Sequence, residues 1–164
     1  MIFVRTAAAS DLPRVRALLV ETWHATYDGI YGAERVAAIT DDWHSLSSLR
    51  QRLDMPNAEF VVADDGREIA GMAFARSEAG GKRVMLHQLY IRPAYQGQGI
   101  GSQLLAEIVD SFPDADILRL EVESANDKAV AFYKARGFVV VDRTDDCGED
   151  RSGIPALVLE RTLI

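Results

Sequence analysis

The sequence predicts an α/β (α+β) fold: a mixed, mostly antiparallel, twisted sheet flanked by helices. Three observations lead there. Apolar runs of strand length stand on both sides of isolated segments with helical spacing. Before residue 92, strand runs are joined by tight-turn sequences, Asp64-Asp65-Gly66-Arg67 and Gly80-Gly81, which favour antiparallel neighbours. After residue 92, helical and strand segments alternate. The 164 residues are 48% hydrophobic and 26% charged, enough for one packed core, and no repeat, low-complexity tract or linker interrupts them. One domain is expected over residues 1–164.

The elements follow in order. Residues 2–6 form a short strand. Ser10 and Asp11 offer caps for a helix whose apolar positions Leu12, Val15, Leu18, Leu19 and Trp23 recur at helical spacing, with Pro13 confined to its first turn. The stretch 24–31, HATYDGIY, is aromatic and contains a glycine, and is set apart from that helix; two short helical patterns follow, around Glu34–Ile39 and Ser45–Leu53, as a lid or substrate wall. Strands are expected at about 59–64, 69–78 and 83–92. A helix spans about 100–111, a strand 117–123, a helix about 126–136, and two last strands lie near 138–144 and 155–162.

Charge and composition exclude several functions. Eighteen basic against twenty-five acidic residues give a net charge of -7, the wrong sign for gripping nucleic acid or an anionic membrane and a better match for cationic partners. The single cysteine, Cys147, rules out an internal disulfide and a cysteine-rich metal site; within the polar stretch 144–153 it is expected to be an inert loop thiol. His24 and His44, each beside a Trp, lack metal-ligand spacing, so no metal is expected. The amino terminus has no basic lead-in and no long apolar core, and no apolar window reaches the roughly 18 residues of a spanning helix; a cytoplasmic location is expected.

The chemistry concentrates at Gln96-Gly97-Gln98-Gly99-Ile100-Gly101, between a strand and a helix. Bare backbone N–H groups at a helix start accept a phosphate without side-chain interference. A P-loop is excluded because no Lys follows. A dinucleotide fingerprint fits poorly: Ser102 stands where its third Gly or Ala belongs, and only about forty residues remain beyond Glu121 for the rest of a doubly wound sheet. A plain tight turn stays open on local grounds.

The run from Leu89 to Leu105, with its Gln-x-x-Gly-x-Gly core, resembles the acyl-CoA-binding motif of the GNAT N-acetyltransferases. The run Asn126-Asp-Lys-Ala129-Val-Ala-Phe132-Tyr133-Lys-Ala-Arg-Gly137-Phe138 resembles that family's other common block. The likeness is sharp over residues 84–138 and loose over the first fifty-five, where the family shapes its acceptor site. It implies acetyl-CoA as co-substrate, with the backbone of Gln98–Gly101 and the hydroxyl of Ser102 holding the diphosphate. Gln96 leads the motif, Gly97 eases the turn, and main-chain groups of Leu89, Tyr90 and Ile91 pair with the pantetheine arm. Asn126 caps the second helix or bonds the pantetheine amide, with Ala129 and Phe132 alongside.

Acetyl transfer to an amine needs a proton acceptor, since an alkyl ammonium has a pKa near ~10.4, and the departing thiolate needs a proton. Tyr133 occupies the position of the family's usual general acid. The base stays open: no carboxylate occurs between Val84 and Ile91, which leaves His87, and Glu121 or Glu123 on the next strand. Thr22–Gly29 is similar to the front section of polyamine and small-amine acetyltransferases, and places Trp23 and Tyr27, with Glu121, as acceptor contacts. The resemblance therefore implies acetylation of a small amine or polyamine. Acetylation of protein amino termini, of the ribosomal-protein type, and a non-catalytic acyl-CoA sensor are the alternatives. Family members are often dimers, so a homodimer is an expectation.

Overall fold

The computed structural model describes residues 1–78, 80–147 and 152–163. Seven strands form one sheet in the order β1-β2-β3-β4-β5-β7-β6, with β1 at Phe3–Thr6, β2 at Ala58–Asp64, β3 at Ile69–Ser77, β4 at Arg83–Ile91, β5 at Ile117–Glu123, β6 at Val139–Thr144 and β7 at Ala156–Thr162. The β4–β5 pair is parallel, and the β1–β2, β5–β7 and β6–β7 pairs are antiparallel, in keeping with the expected mixed sheet. Among the described residues five α-helices accompany them: α1 at Leu12–Tyr31, α2 at Ala33–Trp43, α3 at Leu46–Leu53, α4 at Ile100–Ser111 and α5 at Asp127–Ala135. Two units emerge along the chain. One holds Met1–Ala75 and Gln88–Ser111, the other Arg76–His87 and Phe112–Ile164.

The first unit is organised by α1. Its buried positions Leu12, Val15, Leu18 and Leu19 pack with Ala7, Leu49, Phe60, Val62, Ile69, Met72 and Phe74, so one helix stripe covers one face of β2 and β3. Burying a Leu or Val in this way stabilises by about 1.5–3 kcal/mol per side chain. Asp11 does not cap α1 with its side chain. Its buried carboxylate instead accepts from the Ala8 N–H at 2.8 Å and from both terminal nitrogens of Arg5 at 2.8 and 2.9 Å. The Arg5 guanidinium holds that carboxyl below its ordinary pKa.

The stretch 24–31 is not separate from this helix. Trp23, Tyr27 and Tyr31 continue the same face at four-residue spacing, and the packing of Trp23 and Tyr27 outweighs the roughly 1 kcal/mol that Gly29 costs inside a helix. Gly32, at φ 87°, ends the helix, its N–H bonding the Asp28 carbonyl at 3.0 Å. Helix α2 likewise runs past Ile39 to Trp43. In α3, Ser45 caps by accepting from the Ser48 N–H at 3.1 Å.

In the second unit, β4 and β5 pair from Arg83↔Ile117 to Leu86↔Leu120. Both strands run beyond that ladder, β4 to Ile91 and β5 to Glu123, where β5 pairs with β7 through Glu123↔Ala156. Leu118, Leu120, Val122, Val158 and Leu159 are buried. The sheet ends at β6, where a register irregularity between Val140 and Asp142 breaks the edge and Val139–Val141 are exposed. Cys147 lies in a loop and is buried there, its Sγ donating to Glu123 Oε1 at 3.8 Å. Burial first, then the Glu123 and Glu121 charges, push its pKa up, which suits an inert thiol. Residues 148–151 of the polar stretch lie outside the described residues.

Candidate active site

The glycine turn is set by backbone conformation. Gly97 and Gly99 have φ of 80° and 83°, while a Cβ added at either would meet nothing within 4 Å. These two glycines are needed for a left-handed backbone that other residues resist, with open space beside them. A row of N–H groups in such alternation forms an anion-binding concavity. Gly99 also starts α4, since its carbonyl accepts from the Gln103 N–H at 3.1 Å. The N–H groups of Ile100 and Gly101 therefore head the helix, where its geometry provides no carbonyl partner and the dipole favours an anion. Gly101 has a different reason for its identity: it is helical and buried in the first turn of α4 beside Ile100. Ser102 is half-buried in that same turn, and Gln98 is exposed.

The turn is latched to its surroundings from the side of β4. Gln96, the motif's lead residue, folds back so that Nε2 donates to the Ile91 carbonyl at 3.0 Å. Arg92 bonds the start of β3 through its backbone N–H to Ala70 at 2.8 Å and through Nε to the Ile69 carbonyl at 3.3 Å, and it pairs with Glu21 at 2.8 Å. Beneath lies Gly71, where a Cβ would come within 2.8 Å of Ile91 Cδ1, 3.1 Å of Leu104 Cδ1 and 3.1 Å of the Tyr90 carbonyl. Strand β3 thus approaches β4 and α4 as closely as a residue without a side chain allows.

The two faces of β4 differ. Gln88 and Tyr90 share the face that meets α1 and α2, where Tyr90 and Trp43 pack at the aromatic cluster of Trp23, Tyr27 and Val36. Trp23 and Tyr27, expected as acceptor contacts, are each 1% exposed; the partly buried Tyr31, Ile39, Trp43 and Tyr90 form the surface of this wall, and Trp23 and Tyr27 back it. The Trp23 ring sits 5.5 Å from Trp43 edge-on and 6.4 Å from Tyr90. His24, one position on, is 2.6 Å from Asp28 through Nδ1.

His44 lies inside this cluster, 2% exposed, with Gln88 Nε2 donating to its Nδ1 at 3.2 Å. That assignment puts the ring proton on Nε2. Burial first, then the Arg52 and Arg16 charges, depress its pKa to about 3, so the imidazole is neutral and too weak a base to take a proton from an ammonium. The structure brings His44, Gln88 and Trp43 to the wall, which sequence reasoning did not assign; the only signal was their aromatic neighbours. His87, on the opposite face of β4 with Leu89 and Ile91, is exposed.

In the second unit, Asn126 caps α5 by accepting the Ala129 N–H at 3.1 Å, as one of its two expected roles required. Tyr133 on α5 is 8% exposed and packs edge-on against Phe132 and Phe138, ring centres 5.2 and 5.4 Å away. Burial, then the Glu123 charge, hold its pKa well above the ordinary tyrosine value, so the phenol is protonated at neutral pH. Phe132 is covered by the Arg136 guanidinium, 3.6 Å above its ring. Glu121 is half-buried and Glu123 buried at the end of β5. No group of three or more His, Cys, Asp or Glu fit to hold a metal occurs among the described residues, and no described helix is long and apolar enough to cross a membrane.

Residues 27–155 match the Acetyltransferase (GNAT) domain family. The N-alpha-acetyltransferase RimI of Mycobacterium tuberculosis is 34% identical over 103 residues, which is 61% of this chain and 64% of that protein, slightly under two thirds of its length. The spermidine N(1)-acetyltransferase of Thermoplasma acidophilum is 26% identical over 143 residues, 85% of this chain and 89% of that protein. The crystal structure of PaiA N-acetyltransferase from Thermoplasma acidophilum in complex with coenzyme A superposes with a TM-score of 0.86 at 24% identity, covering 99% of each chain. At that identity the superposition establishes the fold.

Proposed function

The chain belongs to the GNAT acetyltransferase family, and we propose that residues 1–164 act as one catalytic domain that moves an acetyl group from acetyl-CoA directly to a primary amine held in the same complex. The observation that carries this reading is the glycine turn. Positive φ at Gly97 and Gly99, open space around both, and the head of α4 together supply bare N–H groups of the kind a diphosphate takes. The sequence on either side carries the family's two blocks in order.

The diphosphate of acetyl-CoA binds the N–H groups of Gln98–Gly101, with the Ser102 hydroxyl beside them. Main-chain groups of Leu89, Tyr90 and Ile91, on the part of β4 beyond its ladder with β5, hold the pantetheine arm as an added strand. His87 takes the ammonium proton, directly or through water; its exposure and its place on the Leu89 face support that role over the neutral, buried His44. Glu121, half-buried on β5, is the other candidate. The freed nitrogen lone pair attacks the thioester carbonyl carbon, the C–N bond forms, the C–S bond breaks, and the sulfur takes its proton from Tyr133; the nitrogen then gives up its second proton, which restores the Tyr133 phenol, while the first leaves His87 for solvent. Burial keeps Tyr133 protonated before transfer.

The acceptor proposed is a small amine or polyamine. The charge of -7 suits a polycation, and the spermidine acetyltransferase matches 85% of the chain. The half-exposed Trp43 ring, at the surface of the aromatic wall, suits an alkyl ammonium. Acetylation of protein amino termini is the second reading, supported by the mycobacterial N-alpha-acetyltransferase. Thiol release from acetyl-CoA, measured with polyamines, amino acids and amino-terminal peptides, separates the two. Turnover with spermidine or a related amine supports the first, and turnover confined to peptides replaces it with the second. Acetyl-CoA binding with no release on any acceptor would leave only a sensor.

A further inference from the structure

We propose that Tyr95 is a positioning residue for the cofactor turn, its hydroxyl bolting the segment just before Gly97 to the hairpin turn between β2 and β3. This rests on the reading that Gly97–Gly101 binds the diphosphate of acetyl-CoA. Tyr95 ends a short 3-10 turn, Pro93–Tyr95, and its hydroxyl contacts Asp65 Oδ2 and, at 2.7 Å, Glu68 Oε1. Asp65 is oriented before the phenol reaches it, because its Oδ1 accepts the N–H groups of Arg67 and Glu68, each at 2.7 Å. The Glu68 N–H, then the Tyr95 hydroxyl and the Arg67 N–H, hold the Asp65 carboxyl down to about 2, so it is ionised at any working pH. The two carboxylates in turn raise the phenol's pKa, so the donor stays protonated. The bond between the two segments is therefore charge-assisted and independent of pH across the neutral range.

The turn depends on its flanks because its own residues bury little. Gly97, Gln98 and Gly99 are exposed, and the glycines present no side chain to a neighbour. Their position is inherited from the flanks. On the far side Ile100 and Leu104 fix α4 in the core. On the near side Arg92 and Gln96 tie the segment to the ends of β3 and β4, and Tyr95 adds the tie to the hairpin. A diphosphate cradle made of main-chain N–H groups works only while those groups converge, so loosening one flank weakens binding without touching the reacting atoms.

The test is Tyr95→Phe in the full chain, with acetyl-CoA binding measured by calorimetry and steady-state turnover measured by thiol release. The expected result is a dissociation constant and a KM for acetyl-CoA raised about three- to tenfold, with kcat and the KM for the amine unchanged. Glu68→Ala, which leaves the Asp65 bonds to the hairpin backbone intact, should move acetyl-CoA affinity in the same direction by a smaller factor, and serves if Tyr95→Phe folds poorly. Affinity equal to wild type in both variants overturns the role, as does a fall in kcat at unchanged affinity. A wild-type protein that binds no acetyl-CoA overturns the assignment of the turn itself; one that binds, with Tyr95→Phe binding equally well, overturns the Tyr95 role alone.

Discussion

Removing one oxygen from Tyr133 separates its two readings, proton donor or core aromatic. The ring is buried against Phe132 and Phe138, and Tyr133→Phe keeps that packing. Only the hydroxyl oxygen is lost, so the stability change should stay within about 1.5 kcal/mol. If the hydroxyl protonates the leaving thiolate, its loss costs the usual 10²–10⁴-fold of general acid catalysis, about 2.7–5.4 kcal/mol in the barrier. The expected outcome is a kcat lowered by roughly a hundredfold or more, acetyl-CoA affinity within about twofold of wild type, and a melting temperature within a few degrees. Thiol release gives kcat, calorimetry the affinity, and thermal unfolding the stability. There is a linked alkaline signature. The folded state raises the Tyr133 pKa, so stability is fully present below the ordinary tyrosine value of about 10 and is lost as pH rises above it, a loss that Tyr133→Phe should lack. A variant with wild-type kcat would return Tyr133 to the core and refute the acid role.

Gly99→Val forces a branched residue into φ 83° with open space around it, so it should fold with a loss of about 1–2 kcal/mol while acetyl-CoA affinity falls at least tenfold; unchanged affinity by calorimetry would remove the diphosphate cradle. His87→Ala should abolish the acidic limb of the pH dependence of kcat/KM, and a profile identical to wild type would pass the base role to Glu121. His44 is neutral and buried with a pKa near 3 against 6.5 unfolded, so it contributes stability present above pH 6.5 and lost as pH falls toward 3. Between pH 6.5 and 4.5 denaturant unfolding should show roughly 2 kcal/mol of acid destabilisation that His44→Gln lacks. Gly71→Ala drives a methyl into Ile91, Leu104 and the Tyr90 carbonyl and should cost about 1–3 kcal/mol in the same assay.

Much of the fold was legible because its signals are local. Helix α4 and strand β5 fall on the expected residues, since a glycine turn, an apolar stripe and a strand run bound them unambiguously. The junction at 24–31 was misread because Gly29 looks like a stop, whereas tertiary burial of Trp23 and Tyr27 carries the helix through it to Gly32. The site divides in the same way. Gly97 and Gly99 were visible as glycines, but only the backbone angles show that both serve conformation, and only burial shows that Gly101 does not. Tyr95, Gly71 and the His44–Gln88 pair each depend on residues more than fifteen positions away, and no local pattern encodes such partners. Cys147 illustrates the same limit: no local pattern encodes its contact with Glu123, 24 positions away.

The central claim is that this chain transfers acetyl groups from acetyl-CoA to a primary amine. The most direct measurement is time-resolved release of free coenzyme A thiol from the purified chain with acetyl-CoA and spermidine, with mass spectrometry of the amine. Thiol release should require the amine and keep pace with acetylated amine. Thiol release absent with every primary amine, or release that yields no acetylated amine, would contradict it.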